Sequence, residues 1–252
     1  MLNLLAWFSS GNLTRLAVLY DSDKWGSHWY AKHYQHHFHG LRTRQLKLLE
    51  IGIGGYDSPT SGGGSLRMWR TYFPKSHIYG IDIYNKSSHN ETRVRTFRGD
   101  QTDETFLRNV IAEIGNPDII IDDGSHINSH VIRSFQVLFP LLAENGIYVV
   151  EDTQTSYWPS YGGSSEDLGN APTSMCFLKG LIDGLNHEEF IRPGYSPSYY
   201  DKNIISMHFC HNLVFIYKGK NNEGSTEIKN NLPPQETMRA SLSKEDRKEI
   251  AQ

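Results

Sequence analysis

The sequence predicts an α/β fold built on a doubly wound, mostly parallel sheet of seven strands with helices on both faces. Five apolar strand segments alternate with amphipathic helical segments between residues 46 and 151, which is the pattern of repeated βαβ units. Each of these strands ends in polar and mostly acidic residues. A parallel sheet collects such strand ends along one edge, so this edge is the predicted site. Residues 203–211 and 213–218 are expected to close the sheet as an antiparallel hairpin.

The first predicted strand runs into a glycine-rich loop, which indicates a ligand site. Glycines let the backbone approach a ligand without a Cβ atom in between. A dinucleotide-binding G-x-G-x-x-G fingerprint matches poorly, because its third glycine would fall on Asp57. Glu50 precedes the first glycine by two residues. This position favours the Rossmann-like fold that binds S-adenosylmethionine (SAM), because a carboxylate there can reach the cationic methionyl end of the cofactor. The loop residues predicted to bind SAM are Gly52, Gly54, Gly55 and Tyr56.

Further SAM contacts are predicted outside the loop, mainly at the ends of the next strands. Asp82 ends the second strand about thirty positions beyond the glycines, where a carboxylate accepts the hydroxyls of a ribose. Asp100 and Gln101 close the third strand. The predicted contacts outside the glycine loop are Lys24, Glu50, Ser65, Asp82, Asp100, Gln101 and Asp122.

The ends of the fourth and fifth strands carry the acids that predict chemistry. Asp123, Glu151 and Asp152 arrive on neighbouring strands, and a set of oxygen ligands suits a hard divalent ion such as Mg²⁺. Carboxylates brought this close repel one another unless a cation binds or some pKa values rise. His126 follows Asp123 by three residues and is the predicted general base, since imidazole is largely neutral at pH 7. His130, one turn later, is a weaker candidate.

Residues 1–45 are predicted to form N-terminal helices ahead of a core at 46–218. Met1–Phe8 is expected to begin a helix that packs on the domain or on a partner subunit. Tyr30 and Tyr34 recur on one face of a second helix. Two interpretations stay open: this helix docks through its aromatic residues, or the Asp23-Lys24 turn and Tyr30 close over the cofactor as a lid. Residues 219–252 are polar and are expected to form a tail of low order.

Composition excludes several classes of function. The net charge is −3 with histidine neutral, which gives no general basis for binding nucleic acid or an anionic membrane. Residues Cys176 and Cys210 form no C-x-x-C pair, so a disulfide framework and a thiolate zinc site are not expected. We expect a cytoplasmic homo-oligomer that acts on a small molecule.

Several motifs together resemble one known family, the macrolide deoxysugar O-methyltransferases. The motifs are Glu50–Tyr56, Gly62–Trp69, Tyr79–Ile83, Ile121–His126 and Glu151–Trp158, and the similarity runs from about residue 16 to residue 218. The resemblance implies a class I SAM-dependent and Mg²⁺-dependent enzyme that methylates a hydroxyl of a glycosidic sugar. It also implies that Asp123, Glu151 and Asp152 are metal ligands and that His126 is the base.

The sequence therefore predicts a SAM-dependent and Mg²⁺-dependent O-methyltransferase whose acceptor is a sugar hydroxyl of a glycosylated natural product. Three alternatives stay open. One is a metal-dependent O-methyltransferase of a catechol-type molecule, which also presents vicinal hydroxyls. Another is a non-catalytic SAM-fold binding protein, which the acidic residues at the strand ends disfavour. The third is an NAD-binding module, which the missing third glycine disfavours.

Overall fold

A computed structural model gives the structure of residues 9–232 of this chain. The helix expected from Met1–Phe8 and residues 233–252 of the expected tail lie outside this described range. None of the described helices is long and apolar enough to cross a membrane.

The described residues form one sheet of seven strands in the order β3-β2-β1-β4-β5-β7-β6. The strands are β1 Lys47–Ile51, β2 His77–Asp82, β3 Val94–Arg98, β4 Ile119–Asp122, β5 Ile147–Glu151, β6 Ile204–Cys210 and β7 Leu213–Lys218. Strands β1 to β5 are parallel to one another, whereas β7 is antiparallel to both β5 and β6. The predicted fold, including the closing hairpin, is confirmed.

Helices cover both faces of the sheet. They are α1 Leu13–Leu19, α2 Ala31–Phe38, α3 Gly64–Tyr72, α4 Glu104–Ile114, α5 Asn128–Leu138, α6 Ser174–Gly180 and α7 Tyr199–Asn203. Short 3₁₀ helices occur at His39–Leu41, Ser87–His89, Phe139–Leu141, Thr153–Tyr157, Pro159–Tyr161 and Asp183–Glu189. Successive strand residues alternate between the faces, so Ile119 and Ile121 pack with α1 to α3 while Ile120 packs with α4 and α5.

The N-terminal helices share the core of the sheet. Leu13 and Leu16 of α1 and Phe38 of α2 are completely buried in the same apolar cluster as α3. Tyr30 and Tyr34 are buried as well, which agrees with the interpretation of a helix docked through its aromatic face. Their hydroxyl groups reach the carboxyl edge of the sheet, so the docked helix also lies against the predicted site.

The first part of the predicted tail is hydrogen-bonded to the domain. The Asn221 side-chain amide donates to the carbonyls of Gly184, Leu185 and Asp201. Asn231 donates in the same way to the carbonyl of Phe190. The predicted divisions at residues 45/46 and 218/219 remain predictions. On both sides of either division, the described residues pack on the same sheet or on its flanking helices.

Candidate active site

The carboxyl edge of the sheet brings the predicted acids together because β1, β4 and β5 are adjacent. Glu50 lies in β1, Asp123 directly follows β4, and Glu151 ends β5 with Asp152 next in the chain. The parallel register pairs Asp122 with Val150, so the next residues, Asp123 and Glu151, come at the same level. Glu50 pairs with Ile121, two residues before Asp123. The juxtaposition of Asp123, Glu151 and Asp152 therefore follows from the strand order.

Lys24 is the buried cation at the centre of this acidic cluster. Its ammonium lies 2.7 Å from Glu151 Oε1, 2.9 Å from Asp123 Oδ2 and 3.2 Å from Glu50 Oε1. The Lys24 side chain has no solvent exposure. The cation thus links the ends of three adjacent strands, β1, β4 and β5. The sequence analysis predicted that Lys24 contacts the cofactor. In the structure its ammonium contacts the three acids instead, because a buried charge is stable only beside opposite charges.

Burial and mutual repulsion perturb the acids in this cluster. Burial, together with the nearby Asp123 carboxylate, raises the pKa of Glu151 well above its ordinary value, although Lys24 opposes the rise. Burial also raises the pKa of Asp123, against the attraction of Lys24. For Lys24, burial alone would lower the pKa, but the surrounding carboxylates outweigh it and raise the pKa well above the ordinary value. Lys24 is therefore a cation at neutral pH, and the acids around it favour positive charge, whether that of Lys24, a proton or a metal ion.

Replacing Lys24 with methionine is expected to lower the free energy of unfolding by about 3–5 kcal/mol, because buried carboxylates would lose their cation. Urea denaturation followed by circular dichroism measures this change. Lys32→Met is the matched control, since Lys32 is exposed on α2. A loss in Lys24→Met no larger than in the control would show that the ion pairs add nothing to stability.

Asp152 and His126 face each other through unusual backbone geometry. His126 has φ +57° and Asp152 has φ +52°, both in the left-handed region that side chains other than glycine rarely adopt. His126 Nε2 lies 3.5 Å from Asp152 Oδ2, and the Tyr30 hydroxyl donates to Asp152 Oδ1 at 2.6 Å. His28 Nδ1 lies 3.7 Å from the same Oδ1. Such strained positions concentrate at functional sites, which supports a role for this pair.

Hydrogen bonding and charge keep Asp152 ionised. Burial raises its pKa, but the Tyr30 hydroxyl and the His126 and His28 rings outweigh burial and leave the pKa below its ordinary value. Asp152 is therefore a carboxylate at neutral pH and can hold a cation or a protonated imidazole.

The donor atoms suit a divalent cation, in two overlapping sets. Asp123, His126 and Asp152 each place one ligand atom within 4.8 Å of the others. Glu50, Asp123 and Glu151 do so as well, and these are the three acids that the Lys24 ammonium contacts. Asp123 belongs to both sets, whereas Glu151 and Asp152 lie in different ones, and the trio Asp123, Glu151 and Asp152 stays a prediction. Carboxylate oxygens are the ligands that Mg²⁺ prefers.

A cavity of about 190 Å³ lies between the glycine loop and the N-terminal segment. Its lining residues are Asp21, Ser22, Asp23, Gly52, Ile53, Gly54, Gly55, Gly62, Gly64, Ser65 and Asp123. The predicted loop glycines and Ser65 therefore meet at one cavity, beside the acidic cluster. Asp21 and Ser22 were not predicted as cavity residues, whereas Asp23 belongs to the turn that the lid interpretation places over the cofactor.

Gly52 lines this cavity, and its position also requires glycine for structural reasons. Its φ is +88°, and a Cβ atom there would lie 2.0 Å from the backbone oxygen of Asp123. Only glycine allows the ends of β1 and β4 to approach this closely. Gly55 has a similar restriction, since a Cβ atom would lie 2.3 Å from Ser61. The loop is therefore shaped by contacts within the protein that also leave the cavity beside it.

Three other predicted cofactor residues have different surroundings. Glu50 is completely buried and accepts a hydrogen bond from Ser65 Oγ at 2.8 Å, so its carboxylate does not reach the cavity surface. Asp82 accepts hydrogen bonds from the backbone amides of Ile53 and Tyr84, which fixes it beside the glycine loop. Tyr56 is 87% exposed.

Asp122 and Gln101 are buried and bonded to each other rather than open to the cavity. Asp122 accepts hydrogen bonds from Gln101 Nε2, Ser134 Oγ and the Tyr148 hydroxyl. Burial raises the pKa of Asp122 to about 6, against these hydrogen bonds. This placement differs from the expected cofactor contact, because the carboxylate is enclosed on the α5 face of the sheet. Asp100 is exposed and accepts hydrogen bonds from the backbone and side chain of Thr102.

No protein-family model matches the chain. Curated relatives do match. The chain is 47% identical over 215 residues to mycinamicin VI 2''-O-methyltransferase of Micromonospora griseorubida, which covers 84% of this chain and 54% of the relative. It is 49% identical over 210 residues to 8-demethyl-8-alpha-L-rhamnosyl tetracenomycin-C 2'-O-methyltransferase of Streptomyces olivaceus. This match covers 83% of this chain and 55% of the relative. The chain therefore spans about half the length of the curated relatives it matches.

Solved structures give the same result. The MycE methyltransferase of mycinamycin biosynthesis, in complex with Mg, SAH and mycinamycin VI, matches with a TM-score of 0.81 at 47% identity over 84% of this chain and 55% of that chain. A MycE structure with Mg and SAH matches with a TM-score of 0.85 at 45% identity, over 92% of this chain and 60% of that chain. The resemblance to the macrolide deoxysugar O-methyltransferases is confirmed.

The names of these deoxysugar O-methyltransferases differ in the position methylated and in the molecule that carries the sugar. A second Streptomyces olivaceus relative, 44% identical over 85% of this chain and 56% of its own length, is a 3'-O-methyltransferase of the tetracenomycin series. The mycinamicin relative is a 2''-O-methyltransferase. These relatives are therefore all O-methyltransferases by name, and they differ in the acceptor.

Proposed function

We propose that this chain carries out SAM-dependent and Mg²⁺-dependent O-methylation of a sugar hydroxyl on a glycosylated natural product. The observation that carries this proposal is the placement of Asp123, Glu151, Asp152 and His126 together beside the glycine-loop cavity. The similarity to sugar O-methyltransferases at 44–49% identity supports it independently.

The cavity fits the methionyl end of SAM. Asp21, Asp23 and Asp123 line it, so its acidic wall suits a ligand that carries a sulfonium and an ammonium group. The backbone of Gly54 and Gly55 would lie against the ligand, and Asp82 at the end of β2 would receive the ribose. Glu50 would act indirectly, since its carboxylate holds Lys24 and Ser65 in place.

The acids fit a magnesium ion, and Asp123, Glu151 and Asp152 are the residues proposed to hold it. When bound, Mg²⁺ would stabilise negative charge on the acceptor hydroxyl, and SAM would supply the methyl group. The excess of acids in the cluster supports this assignment. Three carboxylates, those of Glu50, Asp123 and Glu151, surround the Lys24 ammonium. A fourth, that of Asp152, places an oxygen within 4.8 Å of Asp123.

His126 is the residue proposed to accept the proton of the sugar hydroxyl, at Nε2. Asp152 Oδ2 lies 3.5 Å from this nitrogen and would stabilise the imidazolium that forms. Both residues have a left-handed backbone conformation, with φ +57° for His126 and +52° for Asp152. Tyr157 and Trp158 follow in the same loop and are 38% and 47% exposed, so their rings are available to stack on a sugar or its aglycone.

The proposal is tested by incubating the purified chain with SAM, Mg²⁺ and a rhamnosylated polyketide, and by measuring product mass. We expect the glycoside to gain one methyl group, with equimolar S-adenosylhomocysteine released. The aglycone without the sugar is the matched control and is expected to stay unmodified. Methylation of the aglycone or of a simple catechol, with the glycoside untouched, would contradict the sugar assignment and favour the catechol-type alternative. No transfer to any acceptor, despite SAM binding, would favour a non-catalytic binding protein.

We also propose a homo-oligomer located in the cytoplasm. Ile205 and Phe209 are 47% and 39% exposed on the edge strand β6, which supports contact with a second copy. Cys176 and Cys210 are both free thiols, which suits a reducing compartment. Light scattering coupled to size-exclusion chromatography measures the assembly, and a monomer mass would contradict it.

A further inference from the structure

The N-terminal segment supplies a donor to one oxygen of each proposed metal ligand. Lys24 Nζ contacts Asp123 Oδ2 and Glu151 Oε1. The Tyr34 hydroxyl donates to the same Glu151 Oε1, and the Tyr30 hydroxyl donates to Asp152 Oδ1 at 2.6 Å. These contacts all come from residues 24–34.

The second carboxylate oxygen of each acid is not held by a donor from this segment and is available to the proposed cation. Among the described residues, none donates a hydrogen bond to Glu151 Oε2 or Asp123 Oδ1. Asp152 Oδ2 faces His126 Nε2 at 3.5 Å. A donor that holds one oxygen restricts the rotation of the carboxylate, so these donors limit the directions in which the remaining oxygens can point.

Packing fixes the positions of the two tyrosine hydroxyls. Tyr34 lies in the aromatic core, with its ring centroid 5.0 Å from that of Trp69 and 5.4 Å from that of Phe215. Tyr30 stacks on His28 at 4.7 Å. The two tyrosines are four residues apart at the start of α2, so they lie on one face of the helix. They can therefore reach the consecutive residues Glu151 and Asp152 from a rigid support.

We infer that Tyr30 and Tyr34 are positioning residues, which orient Asp152 and Glu151 toward a bound divalent cation. This inference rests on the proposed function. Neither hydroxyl is a metal ligand here, and each acts through the carboxylate that it contacts. Hydrogen bonds of this kind, from residues behind the ligands, contribute about 10–100-fold to metal affinity or activity. Helix α2 thus supports the acidic cluster in addition to packing on the core.

The test is Mn²⁺ binding, measured by electron paramagnetic resonance on the full chain in the presence of S-adenosylhomocysteine. Tyr30→Phe and Tyr34→Phe keep the rings and remove only the hydroxyls. We expect each variant to bind Mn²⁺ about 10–100-fold more weakly than the unsubstituted chain. Tyr72→Phe is the matched control, because Tyr72 is a buried tyrosine whose hydroxyl accepts from Gln35 and touches no acid. It is expected to bind Mn²⁺ with unchanged affinity.

The outcomes separate this inference from the proposed function. If the unsubstituted chain binds Mn²⁺ and both variants bind it equally well, the positioning role is overturned while the metal site stands. If the unsubstituted chain binds no Mn²⁺, the metal site itself is overturned, and the inference with it. Thermal unfolding of the same samples detects a purely structural role, which would lower the melting temperature without changing the Mn²⁺ affinity. Should Tyr34→Phe fail to fold, Tyr30→Phe decides the question, because its hydroxyl lies nearer the surface of the cluster.

Discussion

Replacing Asp123 with asparagine is expected to lower kcat by about 10³-fold while leaving the chain folded. Asp123 is the acid shared by both ligand sets, so its loss weakens the proposed cation site more than the loss of any other single carboxylate. A bound divalent cation contributes several kcal/mol of charge stabilisation, and each 1.4 kcal/mol corresponds to about tenfold in rate. Lys24 keeps its contacts to Glu50 and Glu151 in this variant, which preserves the fold.

The measurement is kcat at saturating SAM and acceptor, with Mg²⁺ titrated and then removed by EDTA. Asp118→Asn is the matched control, since Asp118 lies at the opposite end of β4 and accepts from the Lys47 amide. We expect it to retain nearly full activity. A normal rate for Asp123→Asn, or undiminished turnover of the unsubstituted chain in excess EDTA, would count against a metal-dependent reaction.

His126→Ala is expected to lower kcat by about 10²–10⁴-fold, the usual contribution of general base catalysis. The affinity for S-adenosylhomocysteine should stay the same, because His126 lies against Asp152 rather than in the glycine-loop cavity. His130→Ala is the matched control, since His130 lies one turn further along the chain with its Nδ1 3.0 Å from Ser125 Oγ.

The competing account is that the cation alone acidifies the hydroxyl and that solvent takes the proton. His126→Ala would then raise KM for the acceptor and leave kcat almost unchanged. Steady-state kinetics at varied acceptor concentration separate the two accounts. A kcat for His126→Ala within a few-fold of that for His130→Ala would exclude the proposed base.

Strand periodicity made most of the fold predictable. Short apolar segments with acids at their ends, separated by helical segments, leave few arrangements other than a doubly wound sheet, and the structure has this sheet. The position of the acids followed from the same pattern, because Asp123 and Glu151 end adjacent parallel strands.

Strand alternation explains why some predicted cofactor residues are buried instead. Asp122 shares the face of Ile120, which packs with α4 and α5, so its carboxylate meets Ser134 rather than the cavity. Glu50 shares the face of Leu48, which packs with α1 to α3, and this brings it to Lys24. Applying the two-residue period to the last residues of each strand would have separated these roles.

The partners of the acids were beyond the reach of sequence patterns. Lys24 contacts acids that are 99 and 127 positions away in the chain, and Tyr34 contacts Glu151 across 117 positions. Local periodicity shows that Tyr34 belongs to an aromatic face, but it does not show which strand end that face meets. The docking of α2 and of the turn before it onto the sheet determines these contacts.

Anomalous diffraction from a crystal of the chain grown with Mn²⁺ and S-adenosylhomocysteine would locate the cation and the cofactor product directly. We predict one strong manganese peak within ligand distance of Asp123, Glu151 and Asp152. We also predict that the homocysteine portion lies in the cavity formed by the glycine loop and residues 21–23. A manganese peak away from these carboxylates, or a nucleoside bound elsewhere on the sheet, would contradict the proposed metal-dependent methyl transfer at this edge.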